Sequence, residues 1–399
     1  MNPLDLAAWC AALFLAANLF PHTVALRLTL LVLGLAFAAL ALARAKRPLD
    51  IRVLPPLLVP ILLWAAWAAV SIKWSVEPER SMKEYKNEVA YVFLGYWLCW
   101  IAAQAPGARR AFGLALVPGA TASCLIGLYV YAVPAASPWI ERFANGPGDQ
   151  SSALLTLMPL VLLAIWLTRK ERTSRALWAL PLLMLAAAYA TLNRTVWLGF
   201  AAEIVVLAAL LLPRTEFARL RASHRGRAVG GIAAIALAGG LALAMVHVQE
   251  DRVALAPGAA VAKDPRFAIW TEALDSIRQQ PVTGLGFGRG IDRRSLTEEL
   301  GNPQYWHAHN LLLETAVETG LPGATLLLIL ICGLAYRGWR QARGADLAAA
   351  FTGAALIAVV AGMFLRNMTD TLLVRQNALL FWGVAALLLG LGAAQGRRA

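Results

Sequence analysis

A chain of 399 residues that is 59% hydrophobic and 15% charged, with a mean hydropathy of +0.62, is too apolar for a soluble multidomain protein, whose apolar share sits near half. The composition calls for a bilayer. The net charge of +13 comes from arginines clustered between apolar stretches, so it reads as a topology signal and gives no ground for a nucleic-acid partner.

Spans of about 20 apolar residues cross a hydrocarbon core of about 30 Å. Twelve can be marked, at 5–21, 24–43, 53–72, 88–105, 110–133, 151–168, 176–192, 195–212, 229–247, 310–335, 346–365 and 372–393. A backbone in lipid must satisfy its own hydrogen bonds, and these segments are twice the length of a barrel strand, so helix is expected throughout. The expected fold is an all-α integral membrane protein, one polytopic domain over 1–399 with a long loop between helices 9 and 10. The first run lacks a basic leader region and reads as a retained span. Cys10, Cys99, Cys124 and Cys332 lie inside apolar runs and read as small core residues.

Basic clusters at 44–52, 109–110, 169–175, 214–227, 337–343 and 397–398 mark alternate connections. The positive-inside rule puts that face, with both termini, in the cytoplasm. The opposite connections mix charges with aromatics, as in Lys73 to Glu88, Trp139 to Gln150 and Arg366 to Asn377, which favours pairing and ligand binding over simple solvation.

The polar stretch 248–309 is the long outer loop of this layout, periplasmic if the membrane is a bacterial inner membrane, and is expected to carry an amphipathic helix and part of an active site. Asp264 suits an N-cap, Pro265 the first helical position, and Phe267, Trp270, Leu274 and Ile277 recur at helical spacing before Pro281. Gly284, Gly286, Gly288 and Gly290 follow without the ending of a P-loop, so they serve either a tight fold-back or an anion contact, with Arg289 favouring the second. His307-Ala308-His309-Asn310 then meets the tenth span. No third ligand stands at recognisable spacing from the two histidines, so no metal and no cofactor is expected, and a histidine there suits general-base work. If the helix already includes His307, that residue shares a stripe with Asn310, Glu314 and Glu318; if Asn310 is the N-cap, His309 sits just outside the helix and faces a cavity.

Elsewhere, Arg194 stands in a turn so short that its guanidinium must lie at the membrane interface, where snorkelling to headgroups is the ordinary alternative to function. Asp370 and Lys83 are weaker candidates of the same kind.

The order of Arg266 to Trp270, Pro281 to Gly288, His307 to Asn310, and Glu314 to Gly323 resembles the outer loop and following helix of the O-antigen ligase and O-antigen polymerase superfamily of membrane glycosyltransferases. Asn193-Arg194-Thr195-Val196-Trp197 is similar to that family's Ser-Arg-x-x-Trp turn, with Asn in place of Ser. The resemblance implies a donor glycan on undecaprenyl diphosphate, reached at the periplasmic face of a Gram-negative inner membrane. The acceptor it implies is lipid A-core oligosaccharide for a ligase, or another carrier-linked repeat for a polymerase. It carries a catalytic role to His309 and diphosphate contacts to Arg194 and Arg266. Arg289 joins them from the local reading, with His307, Asn310, Lys83, Asp370 and Glu314 in support. Metal-independent, inverting transfer is the expected chemistry. A non-enzymatic rival, a transporter of lipid-linked saccharides, would place its ionisable residues near mid-bilayer, whereas these gather on one face.

Overall fold

The computed structural model describes residues 2–45, 51–133, 137–169, 176–214, 265–301 and 306–395, and every regular element among them is helical. In chain order the helices are α1 (Pro3–Ala17), α2 (Val24–Arg44), α3 (Leu58–Ser71), α4 (Pro78–Tyr85), α5 (Tyr91–Ala102) and α6 (Ala108–Ala132). There follow α7 (Pro147–Leu167), α8 (Ala179–Ala190), α9 (Thr195–Leu211), α10 (Pro265–Gln279), α11 (Arg293–Leu300), α12 (Leu311–Ala342), α13 (Leu347–Asn367) and α14 (Arg375–Gln395). A π-helical segment, Lys86–Ala90, links α4 to α5, and a single turn, Pro138–Glu141, precedes α7.

Six of these, α2, α6, α7, α12, α13 and α14, are long and apolar enough to cross a membrane by length and composition, as in a multi-pass membrane protein. Four apolar helices, α1, α3, α8 and α9, are shorter than the spans expected from the sequence. The span expected at 229–247, the loop from 248 to 264 and the proposed Asp264 cap lie outside the described residues.

The core follows composition. α13 is buried on most sides, against α7, α9, α12 and α14, because its Ala, Gly and Val side chains let neighbours approach closely. At Gly338 a Cβ would come within 2.9 Å of the Gly353 carbonyl. Cys10, Cys99 and Cys124 are buried as expected, but Cys332 is exposed on the flank of α12.

α12 carries the decisive irregularity. Pro322 has no N–H to offer the carbonyl four residues back, and the helix breaks at Thr319 (φ −129°, ψ 16°) and Gly320 (φ 68°, ψ 179°). The freed carbonyls are taken by other segments. Leu285 N–H donates to Val317 O (2.8 Å), Gly286 N–H to Glu318 O (2.8 Å), and Trp67 Nε1 to Thr319 O (2.8 Å). The Gly-rich segment is therefore stitched along the broken helix, and Val76 N–H donates to Leu285 O (3.0 Å) from the other side. A Cβ at Gly286 would overlap Ser75, and one at Gly284 would meet the Glu318 carbonyl carbon at 2.6 Å. These glycines serve the fold-back; close packing, with φ of +61° and +110° at the two positions, requires them.

The amphipathic helix of the loop is present as α10, with one correction. Its buried stripe is Ile269, Ala273 and Ile277, the last two packed with Ala308, Ala316 and Val317, while Phe267 and Leu274 are exposed. An i, i+4 stripe fits along α12 better than the broader face that the aromatic spacing predicted.

Candidate active site

Three pieces of chain meet where α12 begins. Asn310 caps the helix, its Oδ1 accepting from Leu312 N–H (3.0 Å) and Leu313 N–H (3.2 Å). Its Nδ2 donates to Met368 O (3.1 Å), which ties the cap to the turn between α13 and α14. The helix thus starts after His309, and the arrangement with His307 inside it does not occur. His309 itself adopts φ +48°, uncommon for a residue with a Cβ.

In this conformation His309 Nδ1 stands 3.3 Å from Asp370 Oδ1. Asp370 Oδ2 is 3.6 Å from the guanidinium of Arg366, whose side chain is almost fully buried, and Arg266 lies within electrostatic range of Arg366. Burial works against ionising Asp370, but the His309 contact, Arg366 and the Thr371 N–H outweigh it and hold the carboxyl below its usual range. With Nδ1–H directed at a carboxylate, Nε2 carries the lone pair, the tautomer a general base needs.

His307 has a different environment. It is 3% exposed; its Nδ1 faces the His309 N–H (3.1 Å), and its Nε2 faces Arg289 Nη2 (3.1 Å). Two N–H groups address the ring, so a proton on either nitrogen opposes one of them. Burial first, then Arg289 and His309, push this imidazole down to about 3. It stays neutral and orders its neighbours. Arg289 also lies over the Trp306 ring at 4.7 Å, and its buried Nε has no hydrogen-bond partner among the described residues.

Glu314 holds the two loop pieces together. Its Oε1 accepts from Gly290 N–H (2.6 Å) and its Oε2 from Ala308 N–H (2.6 Å), so both oxygens are committed to backbone and its place is positional.

His307, His309 and Asp370 bring their ligand atoms within 4.8 Å of one another. Asp370 is the third group that sequence spacing did not supply, because it arrives from the distant turn between α13 and α14. Guanidiniums stand against the cluster, at 3.1 Å from His307 and 3.6 Å from Asp370. That charge opposes a divalent cation and suits an anion.

Residues 179–328 match the family model described as O-Antigen ligase. The chain carries an O-antigen ligase family domain. The match runs from α8 into α12 and takes in Arg194, Arg266, Arg289, His307, His309, Asn310 and Glu314. The match supports a function of the O-antigen ligase and polymerase type. No curated protein matches the chain.

Not every candidate joins the cluster in the O-antigen ligase family domain and its surroundings. Arg194 is exposed at the first turn of α9. α9 packs on α13, with Gly199 beside Gly362, one turn below Arg366, so Arg194 stands at the same end of the bundle. Lys83 is exposed on α4, and that helix meets the loop through other residues: Arg80 donates to Arg289 O, and Glu84 lies beside Gly288. Arg366, Arg80 and the buried carboxylate of Glu318 were not singled out as site residues from sequence. The only available signal for Arg366 was its four-residue spacing from Asp370, which reads as an ordinary helix ion pair.

Proposed function

We propose that this protein transfers O-antigen polysaccharide from undecaprenyl diphosphate to lipid A-core oligosaccharide at the periplasmic face of the inner membrane. The observation that carries the reading is the contact of His309 Nδ1 with Asp370 Oδ1 at 3.3 Å, set among Arg289, Arg266 and Arg366. His309 Nε2 takes the proton of the acceptor hydroxyl as the oxygen forms its bond to the anomeric carbon. The bond from that carbon to the diphosphate oxygen breaks, and the lipid diphosphate leaves with the electron pair. Arginine forks, with Arg289 Nε free to donate, offset the growing phosphate charge. Displacement in one step inverts the anomeric centre and uses neither metal nor cofactor. Arg194 contacts the diphosphate from α9.

The test is transfer in vitro, with purified protein, carrier-linked O-antigen and lipid A core. Glycan on the core establishes a ligase, and longer carrier-linked chains establish a polymerase using the same site. Absence of both products from folded protein removes the reading. His309→Ala should bind donor and not transfer; loss of transfer in His307→Ala alone would move the base to the other histidine. Unchanged donor affinity in Arg194→Ala would reduce that residue to an anchor. A chelator should leave the rate unaltered.

A further inference from the structure

A cavity of about 200 Å³, the largest of those described, lies apart from the histidines between α1, α2, the 86–91 segment and the start of α14. Its wall is uneven in polarity. Arg27, Asn87, Arg375 and Gln376 stand where α2, the segment leading into α5, and α14 begin, and Phe14, Leu28, Leu31 and Leu379 continue the wall beyond them. Polar groups thus gather toward one end, with Val24 among them, and mostly apolar side chains continue the wall from there.

Arg27 is 7% exposed; its Nη1 donates to Asn18 Oδ1 (3.1 Å), and its buried Nε has no hydrogen-bond partner among the described residues. A buried guanidinium with an unused donor calls for an anion. No carboxylate forms an ion pair with Arg27 or Arg375 among the described residues. Glu88 and Asp149 are within electrostatic range of Arg375, yet Asp149 is taken by Asn377 Nδ2 (2.8 Å) and Gln376 Nε2 (3.4 Å).

We infer that this cavity binds the phosphate of an acylated lipid, with Arg27 and Arg375 on the phosphate and the chain lying along Phe14, Leu28, Leu31 and Leu379. A free anion would use the arginines and leave the apolar wall uncovered; a neutral lipid would cover that wall and leave the cations unmatched. Only a phosphorylated amphiphile uses both. Its lining shares no residue with the Arg289, Arg266 and Arg366 group, although Glu88 and Asp149 lie within electrostatic range of both Arg375 and Arg289, and lipid binding there does not depend on the transfer reaction. A membrane phospholipid and a phosphorylated glycolipid share the required chemistry.

Native mass spectrometry of the full chain in neutral detergent tests this, with phosphatidylglycerol, lipid A, diacylglycerol and inorganic phosphate as probes. Both phosphorylated lipids should be retained about tenfold better than diacylglycerol, the difference expected for one well-placed charge-assisted contact. Inorganic phosphate should not be retained. Arg375→Gln, at an exposed position, should lower retention about tenfold, and Leu379→Trp should lower it with both arginines in place. A preference for lipid A assigns the occupant as phosphorylated glycolipid, and equal retention assigns it as bulk phospholipid. Diacylglycerol or inorganic phosphate binding as well as phosphatidylglycerol overturns the inference, as does unchanged retention in both variants.

Discussion

His309 Nδ1 lies 3.3 Å from Asp370 Oδ1, joining the residue ahead of the α12 N-cap to the turn between α13 and α14. Asp370 lies beyond residue 328, where the match to the O-antigen ligase family model ends, so the pair is completed by a residue outside the matched stretch.

Asp370→Asn should keep the shape and lose the charge. An amide can present its NH₂ to Nδ1 and stabilise the wrong tautomer, so transfer should fall by roughly 10²-fold or more with donor binding retained. His309→Ala should cost about 10²–10⁴. The double variant should be no slower than His309→Ala alone, because Asp370 acts through the imidazole. Additive losses in single-turnover rates would show that Asp370 acts independently.

Arg289→Lys preserves charge but not the fork. It loses stacking on Trp306 and the contact with His307. Donor affinity, measured by titration with the carrier-linked glycan, should fall about tenfold, and Arg289→Gln should lower it further.

Gly286→Ala should destabilise the loop by about 1–3 kcal/mol, because a Cβ would overlap Ser75 and the backbone stands at φ +110°. Gly301→Ala is the control: its φ is also positive, at +62°, but nothing lies within 4 Å. Thermal unfolding should separate the two variants; equal midpoints would show that the stitch along α12 is loose.

Acidification should remove His307's share of the stability of the fold in a window set by that residue. Its imidazole is depressed in the folded protein, so the unfolded chain binds the extra proton once pH drops below about 6.5. That share is therefore fully present above that pH and declines as pH falls toward 4. Asp370 is also depressed, but its stabilising share is lost only below the ordinary carboxylate range, near 4. Between pH 6.5 and 4 the slope of unfolding midpoint against pH should flatten in His307→Gln, and an unchanged slope would relocate the titrating group.

Glu314→Ala leaves the Gly290 and Ala308 N–H groups buried without an acceptor. A loss of about 1–3 kcal/mol is expected for each, seen as faster proteolysis within the loop while the helical bundle resists. Uniform loss of resistance along the chain would mean that the loop and bundle unfold together.

What the sequence determined by itself is local. Apolar run length set the helical membrane character and Asn310 offered one of two possible starts for α12, both resting on backbone hydrogen bonds within a few residues. The break at Thr319 and Gly320 ahead of Pro322, by contrast, interrupts a span expected to be continuous. Sequence also located the histidine pair. Which histidine is open, and what the glycines are for, needed the partners. Glu314 reaches back to Gly290, Gly286 lies against Ser75, and His309 meets Asp370 only because α13 delivers that turn to the capped end of α12. Helical periodicity relates residues on one helix and carries no information about which turn of a distant helix lies opposite. The charge on His307 and the orientation of His309 were therefore decided by packing between segments far apart in the chain.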